Sequence, residues 1–204
     1  MLTRHALPLL LTAFIAPLMA APAPPGMTER VRGTIDAVAV DSLSIHDRDG
    51  RTLSLLLTDK TRINSVATGS PADIGPDSYI GTAARLQPDG TLRALEVHVF
   101  AASLRGAGEG HRPWAAADGS EATMTNGTVG TVKASDGQRL TVRYGDGEKT
   151  VWVPDGVPIV RLEPGNRSQL LPGAAVVVSA APDEQGRPVA QSVSVGVGGV
   201  VPPM

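Results

Sequence analysis

The densest group of chemically capable side chains lies near the middle of the chain, where Arg105, Glu109, His111, Arg112 and Trp114 are interleaved with Gly106, Gly108 and Gly110. Glycines at alternate positions let a backbone bend tightly or come close to a ligand. Two chemistries suit the set. With His98 a little upstream, Glu109 and His111 could ligate a divalent metal, since imidazole and carboxylate are ligands for zinc, copper or nickel. Two imidazoles and one carboxylate are fewer than the four ligands of a structural zinc site. Alternatively, Arg105 and Arg112 could grip an anionic group while Trp114 covers its apolar part. A purely structural account competes with both: Trp114 fills a groove, Arg112 stacks on it, and His111 bonds to backbone. His46, beside Asp47 and Asp49, occupies a polar position of a strand and reads as part of a solvated face.

Signatures of catalysis are not found in the sequence. It has no phosphate-binding loop ending in Lys-Ser/Thr, no Gly-x-Ser-x-Gly elbow and no His-Glu-x-x-His. Gly106-Ala107-Gly108 lacks the helix that a dinucleotide loop needs. The expectation is therefore a non-enzymatic binding or interaction module without a cofactor. A metal-binding protein associated with metal transport is the first alternative, and an unrecognised hydrolase the second.

The elements that must position these residues announce themselves as a repeat. Arg32-Gly33-Thr34-Ile35, Leu43-Ser44-Ile45 and Asp49-Gly50 are answered by Asn126-Gly127-Thr128-Val129, Leu140-Thr141-Val142 and Asp146-Gly147. Ile74-Gly75-Pro76-Asp77 is answered by Leu170-Leu171-Pro172-Gly173, and Leu95, Val97 and Val99 by Gln191, Val193 and Val195. A repeat of this kind implies two copies of one structural unit. Apolar and polar residues alternate with period two at Leu43 to His46, Thr52 to Leu57 and Leu92 to Phe100, as in half-buried strands. Asp49-Gly50 and Asp89-Gly90 supply the turns. Each half reads as five strands with a long third connection, over 58–78 in one copy and 154–173 in the other, where Ser70 to Ile74 suits one short helical turn. The expected fold class is thus all-β: two tandem small five-stranded OB-like β-barrels, over 30–100 and 126–198, with 101–125 as a Gly-rich joining segment and 199–204 as a tail. Trp152 is expected at a packed position of the second copy, where Leu55 stands in the first.

Composition narrows the setting. Met1 to Arg4 carries one positive charge, Leu7 to Met19 is an apolar run, and small residues follow at Ala20 and Ala21. This is the pattern of a secretory signal peptide over 1–21, cleaved near Ala20 or Ala21, which implies a periplasmic or secreted protein. The run is short for a membrane span, and no second run approaches that length. The chain has no Cys, so thiolate chemistry and disulfides are excluded. Removing Arg4 from 18 basic residues leaves 17 against 20 acidic ones, a net charge of −3. That argues against a nucleic-acid partner. The expected partner is a small ligand or an envelope protein.

The succession of Arg-Gly-Thr-Ile, Leu-Ser-Ile, Asp-Gly, Asp89-Gly-Thr-Leu-Arg-Ala-Leu-Glu-Val-His-Val-Phe100 and Asn-Gly-Thr-Val resembles the tandem OB-like domains of unknown function of exported bacterial proteins. The joining text Arg-Gly-Ala-Gly-Glu-Gly-His-Arg-Pro-Trp and the ending Gly-Val-Val-Pro-Pro-Met resemble one proteobacterial subgroup. Some members of that subgroup carry names referring to metal ABC transporter permeases. The resemblance covers essentially the whole chain after the leader and implies, at most, a connection to metals.

Overall fold

The computed structural model describes residues 29–116, 118–134 and 137–203. The expected signal segment and its cleavage point lie outside them. The protein is all-β, as the alternation implied. In chain order the strands are β1 (Glu29–Val38), β2 (Ser42–Asp47), β3 (Thr52–Leu56), β4 (Arg62–Thr68), β5 (Tyr79–Leu86), β6 (Leu92–Phe100) and β7 (Gly110–Ala115). Then follow β8 (Glu121–Ala134), β9 (Gln138–Tyr144), β10 (Gly147–Val153), β11 (Ile159–Pro164), β12 (Ala175–Pro182) and β13 (Pro188–Gly196). Gly50 and Gly90 take the positive φ that their turns require, 83° and 82°. The short turn expected near Ser70 is a single 3-10 turn, Pro71–Asp73, where the Asp73 carboxylate accepts the Ser70 N–H at 2.7 Å. The second copy repeats it, with the Asn166 N–H donating to Gln169 Oε1 at 2.9 Å.

Pairing closes two rings of strands. In ring one, β1 pairs with β2 and β12, β2 with β3, and β12 with β13; β13 meets β3 in parallel at Val189 and Leu56. In ring two, β8 pairs with β9 and β5, β9 with β10, and β5 with β6; β10 meets β6 in parallel at Val151 and Leu92. The expected division into one barrel over 30–100 and another over 126–198 does not describe this pairing. Each ring takes three strands from one half of the chain and two from the other.

The cause is β4 and its counterpart β11, both expected as loop. Seven residues of extended chain in β4 reach about 23 Å. This strand leaves ring one, pairs with β13 on one side and β11 on the other, and delivers β5 to ring two. Strand β11 makes the reverse journey beside β6. Where the two cross antiparallel, Val66 faces Leu162, its own counterpart in the repeat. Hydrogen bonds obey the same two-fold relation. Ala101 N–H donates to Leu162 O at 2.8 Å, and Val197 N–H to Val66 O at 2.9 Å.

Each ring has an aliphatic core. Ile35, Leu43, Ile45, Leu55, Val178 and Val193 fill ring one; Ile80, Leu92, Val97, Val129, Leu140 and Val142 fill ring two. Burying each such side chain contributes about 1.5–3 kcal/mol. A third cluster, Val66, Val160 and Leu162 with Phe100, Leu104 and Val200 against it, seals the crossing of β4 and β11.

Candidate binding site between the two rings

The joining segment is an extra strand. β7 pairs antiparallel with the first half of β8, from Gly110 opposite Asn126 to Ala115 opposite Glu121. The polar atoms before it hold it down. Arg105 donates to Thr128 Oγ1 at 3.0 Å and to the Asp77 carbonyl. The Ala107 carbonyl accepts from the Tyr79 hydroxyl at 3.2 Å and from Asn126 Nδ2 at 3.0 Å. Glu109 Oε1 accepts the Gly145 N–H at 2.9 Å, and Arg112 donates to the Gly108 carbonyl at 2.8 Å. His111 Nδ1 lies 2.9 Å from Thr125 Oγ1, with its ring stacked on Tyr144. Burial, and then the charge of Lys149, pull the His111 imidazole below its ordinary pKa.

The set His98, Glu109 and His111 is not brought together. His111 pairs with Thr125, Thr125 with Thr82, and Thr82 with Val97, so these residues share one face across four strands. His98 follows Val97 and therefore projects from the opposite face. Three strand spacings separate the two imidazoles' backbones, about 14 Å. Among the described residues no three His, Asp or Glu side chains gather as a metal site would require. His46 is exposed on β2, as expected.

The other face assembles a different group. The alternation in β6 turns Glu96 and His98 away from the ring-two core, yet they are only 5% and 2% exposed. Their nearest polar atoms, Glu96 Oε1 and His98 Nε2, are 3.2 Å apart without hydrogen-bond geometry, and each lacks a partner among the described residues. Arg30 and Arg32 of β1 lie within electrostatic reach of the Glu96 carboxylate. Trp114, expected in a groove between barrels, is half-buried at the meeting point. The Arg30 guanidinium lies 3.6 Å from its ring centroid, and that of Arg112 5.6 Å. Burial first, then the charges of Arg32 and Arg112, lower the Arg30 pKa. Arg30 and Arg112 thus flank one indole and repel each other, an arrangement that an added anion would relieve, while Arg30 also reaches the buried carboxylate.

Of the sequence candidates, Arg112 and Trp114 belong to this cluster, whereas Arg105, Glu109 and His111 fasten β7 to ring two. Arg30, Arg32 and Glu96 were missed. The only signal was Glu96, an acid set between Leu95 and Val97. Trp152 follows the core residue Val151 and so stands on the outer face of ring two. It lies half-buried between Arg93 and Arg139, at 5.5 and 5.8 Å from the guanidinium carbons. The expected equivalence with Leu55 belongs instead to Val151, since both are buried in the ring cores. No helix among the described residues is long and apolar enough to cross a membrane. The chain matches no family model, no curated protein and no solved structure.

Proposed function

We propose that this chain is an exported, non-enzymatic binding module of OB-like construction that takes an anionic ligand with a flat apolar part at Trp114. The placing of Arg30 and Arg112 against that indole, close enough to repel each other, carries the reading. A carboxylate or phosphate placed between the guanidinium groups would neutralise their mutual repulsion, while the indole offers a stacking surface. The apolar leader over 1–21 supports export. Arg105 is engaged with the Thr128 hydroxyl and the Asp77 carbonyl, and Glu109 with the Gly145 amide, which suits a rigid support better than a catalytic pair.

Phenyl phosphate, which has both parts, is a suitable probe. Titration should shift the Trp114 Nε1–H NMR resonance saturably. Arg112→Ala should weaken the interaction at least about tenfold, equivalent to about 1.4 kcal/mol. A resonance that stays put up to millimolar probe would end this reading.

A further inference from the structure

The two rings are built alike at one mouth but closed differently. There the glycine that follows one crossing strand bonds back to the start of the other. Gly165 N–H donates to Ile63 O in ring one, and Gly69 N–H to Ile159 O in ring two, both at 2.8 Å. The 3-10 turns follow, so Arg167 at the start of one turn corresponds to Pro71 at the start of the other. In ring one the Arg167 guanidinium reaches across the mouth, donating to the Val40 carbonyl and, at 3.5 Å, to the Thr58 carbonyl. Proline has no such group to send. The Pro154 carbonyl nonetheless stands where that of Thr58 does: Thr61 N–H donates to Thr58 O at 3.1 Å, and Val157 N–H to Pro154 O at 3.3 Å. A cavity of about 220 Å³ opens at this place in ring two, with Pro71, Gln138, Val153, Pro154, Asp155 and Val157 in its wall.

We infer that the mouth of ring two is a binding site for the guanidinium group of an arginine presented by a polypeptide, which takes the place that Arg167 fills in ring one. The wall suits a cation. No Lys or Arg lines the cavity, and the exposed carboxylate of Asp155 stands on its rim. Asp59-Lys60 of ring one is answered by Asp155-Gly156, so ring two keeps the acid of this turn and drops the base. Gln138 Nε2 donates to the Pro71 carbonyl at 3.2 Å, while its Oε1 has no hydrogen-bond partner among the described residues. A guanidinium brings a planar fork of donors for several acceptors at once. Val153 and Val157 offer apolar surface to the methylene stem behind it. Sites for drug-sized molecules are about 300–1,000 Å³, so this smaller cavity admits a single side chain. It shares no lining residue with the Trp114 cluster and stands apart from that reading.

The probe is N-acetyl-arginine amide, with N-acetyl-citrulline amide, its neutral isostere, as control. The Val157 amide NMR resonance should shift saturably with the arginine probe and stay in place with the control. Asp155→Asn should weaken the interaction about two- to fivefold, the range for an exposed ion pair. Pro71→Arg should abolish the response, its Val157 resonance already lying near the position that saturation gives in the unsubstituted protein. That variant should keep the rest of its spectrum, since the matching turn of ring one carries Arg167 at the same position. A Val157 resonance indifferent to the arginine probe, an equal response to the citrulline, or an undiminished response in Pro71→Arg overturns the proposal. So does tighter binding of methylguanidinium than of the arginine probe, which would assign the mouth to a small free cation. The Trp114 response to phenyl phosphate should persist in both variants, so the two readings fail separately.

Discussion

At Gly33 and Gly127 the fold leaves no room for a β-carbon. One built on Gly33 would stand 2.2 Å from the His46 carbonyl oxygen, and one on Gly127 at 2.2 Å from that of Arg143. In both places a neighbouring strand's backbone crosses against the glycine as the ring closes, so relief requires moving a strand. Gly33→Ala and Gly127→Ala should each destabilise the protein by about 1–3 kcal/mol, as overpacking does, lowering Tm by about 2–4 °C per kcal/mol. Calorimetry that found Tm unchanged in either variant would show that the approach is slack. The repeated Arg-Gly-Thr-Ile and Asn-Gly-Thr-Val texts pointed to this glycine. They could not say why it is needed, because the obstructing carbonyl comes from the next strand. The site residues divide in the same way. Alternation placed His98 away from the ring core, and that is where it points. That Arg30 and Arg32 would come within electrostatic reach of Glu96 beside it depended on residues more than sixty positions away in sequence.

Among the elements, strands with one face in a ring core were legible, because their side chains alternate apolar and polar. β4, β7 and β11 were not. β4 and β11 have partners on both edges, so Ile63, Val66, Val160 and Leu162 mark no single face, while β7, half-exposed, mixes glycine, charge and proline without alternation. The clue was the length of the presumed third connection, twenty residues or so without structure, which a compact domain rarely tolerates. These strands weld the rings together, and the welding makes a prediction. Leu162 is 5% exposed opposite Val66 at the crossing. Leu162→Ala should cost about 2–5 kcal/mol, the usual range for a buried Leu truncated to Ala. Urea unfolding should remain one transition, with a lower midpoint and an unaltered slope, because the slope follows the surface exposed. Two separate transitions would mean that the rings hold without the crossing.

For the whole molecule, duplication in sequence has become exchange in space. The repeat correctly announced two copies of one unit and an all-β body, but not which copy's strands close which ring. Local pattern is silent there, since β5 and β12 are counterparts, as are β6 and β13, and either pair presents similar apolar faces to a ring. The direction of β4 and β11 decides. A fragment ending after β6, residues 29–104, has β1 to β3 without β12 and β13, and β5 and β6 without β8 to β10. Its missing strands are supplied if a second copy of the same fragment takes the place of the other half, by the low-cost exchange that swapping allows. The isolated fragment should therefore fold as a dimer whose stability rises with concentration. Sedimentation equilibrium and thermal unfolding over a hundredfold concentration range would read this directly. A folded monomer would show that β4 can turn back and close its own ring, and that the crossing seen here is a consequence of tethering the two halves.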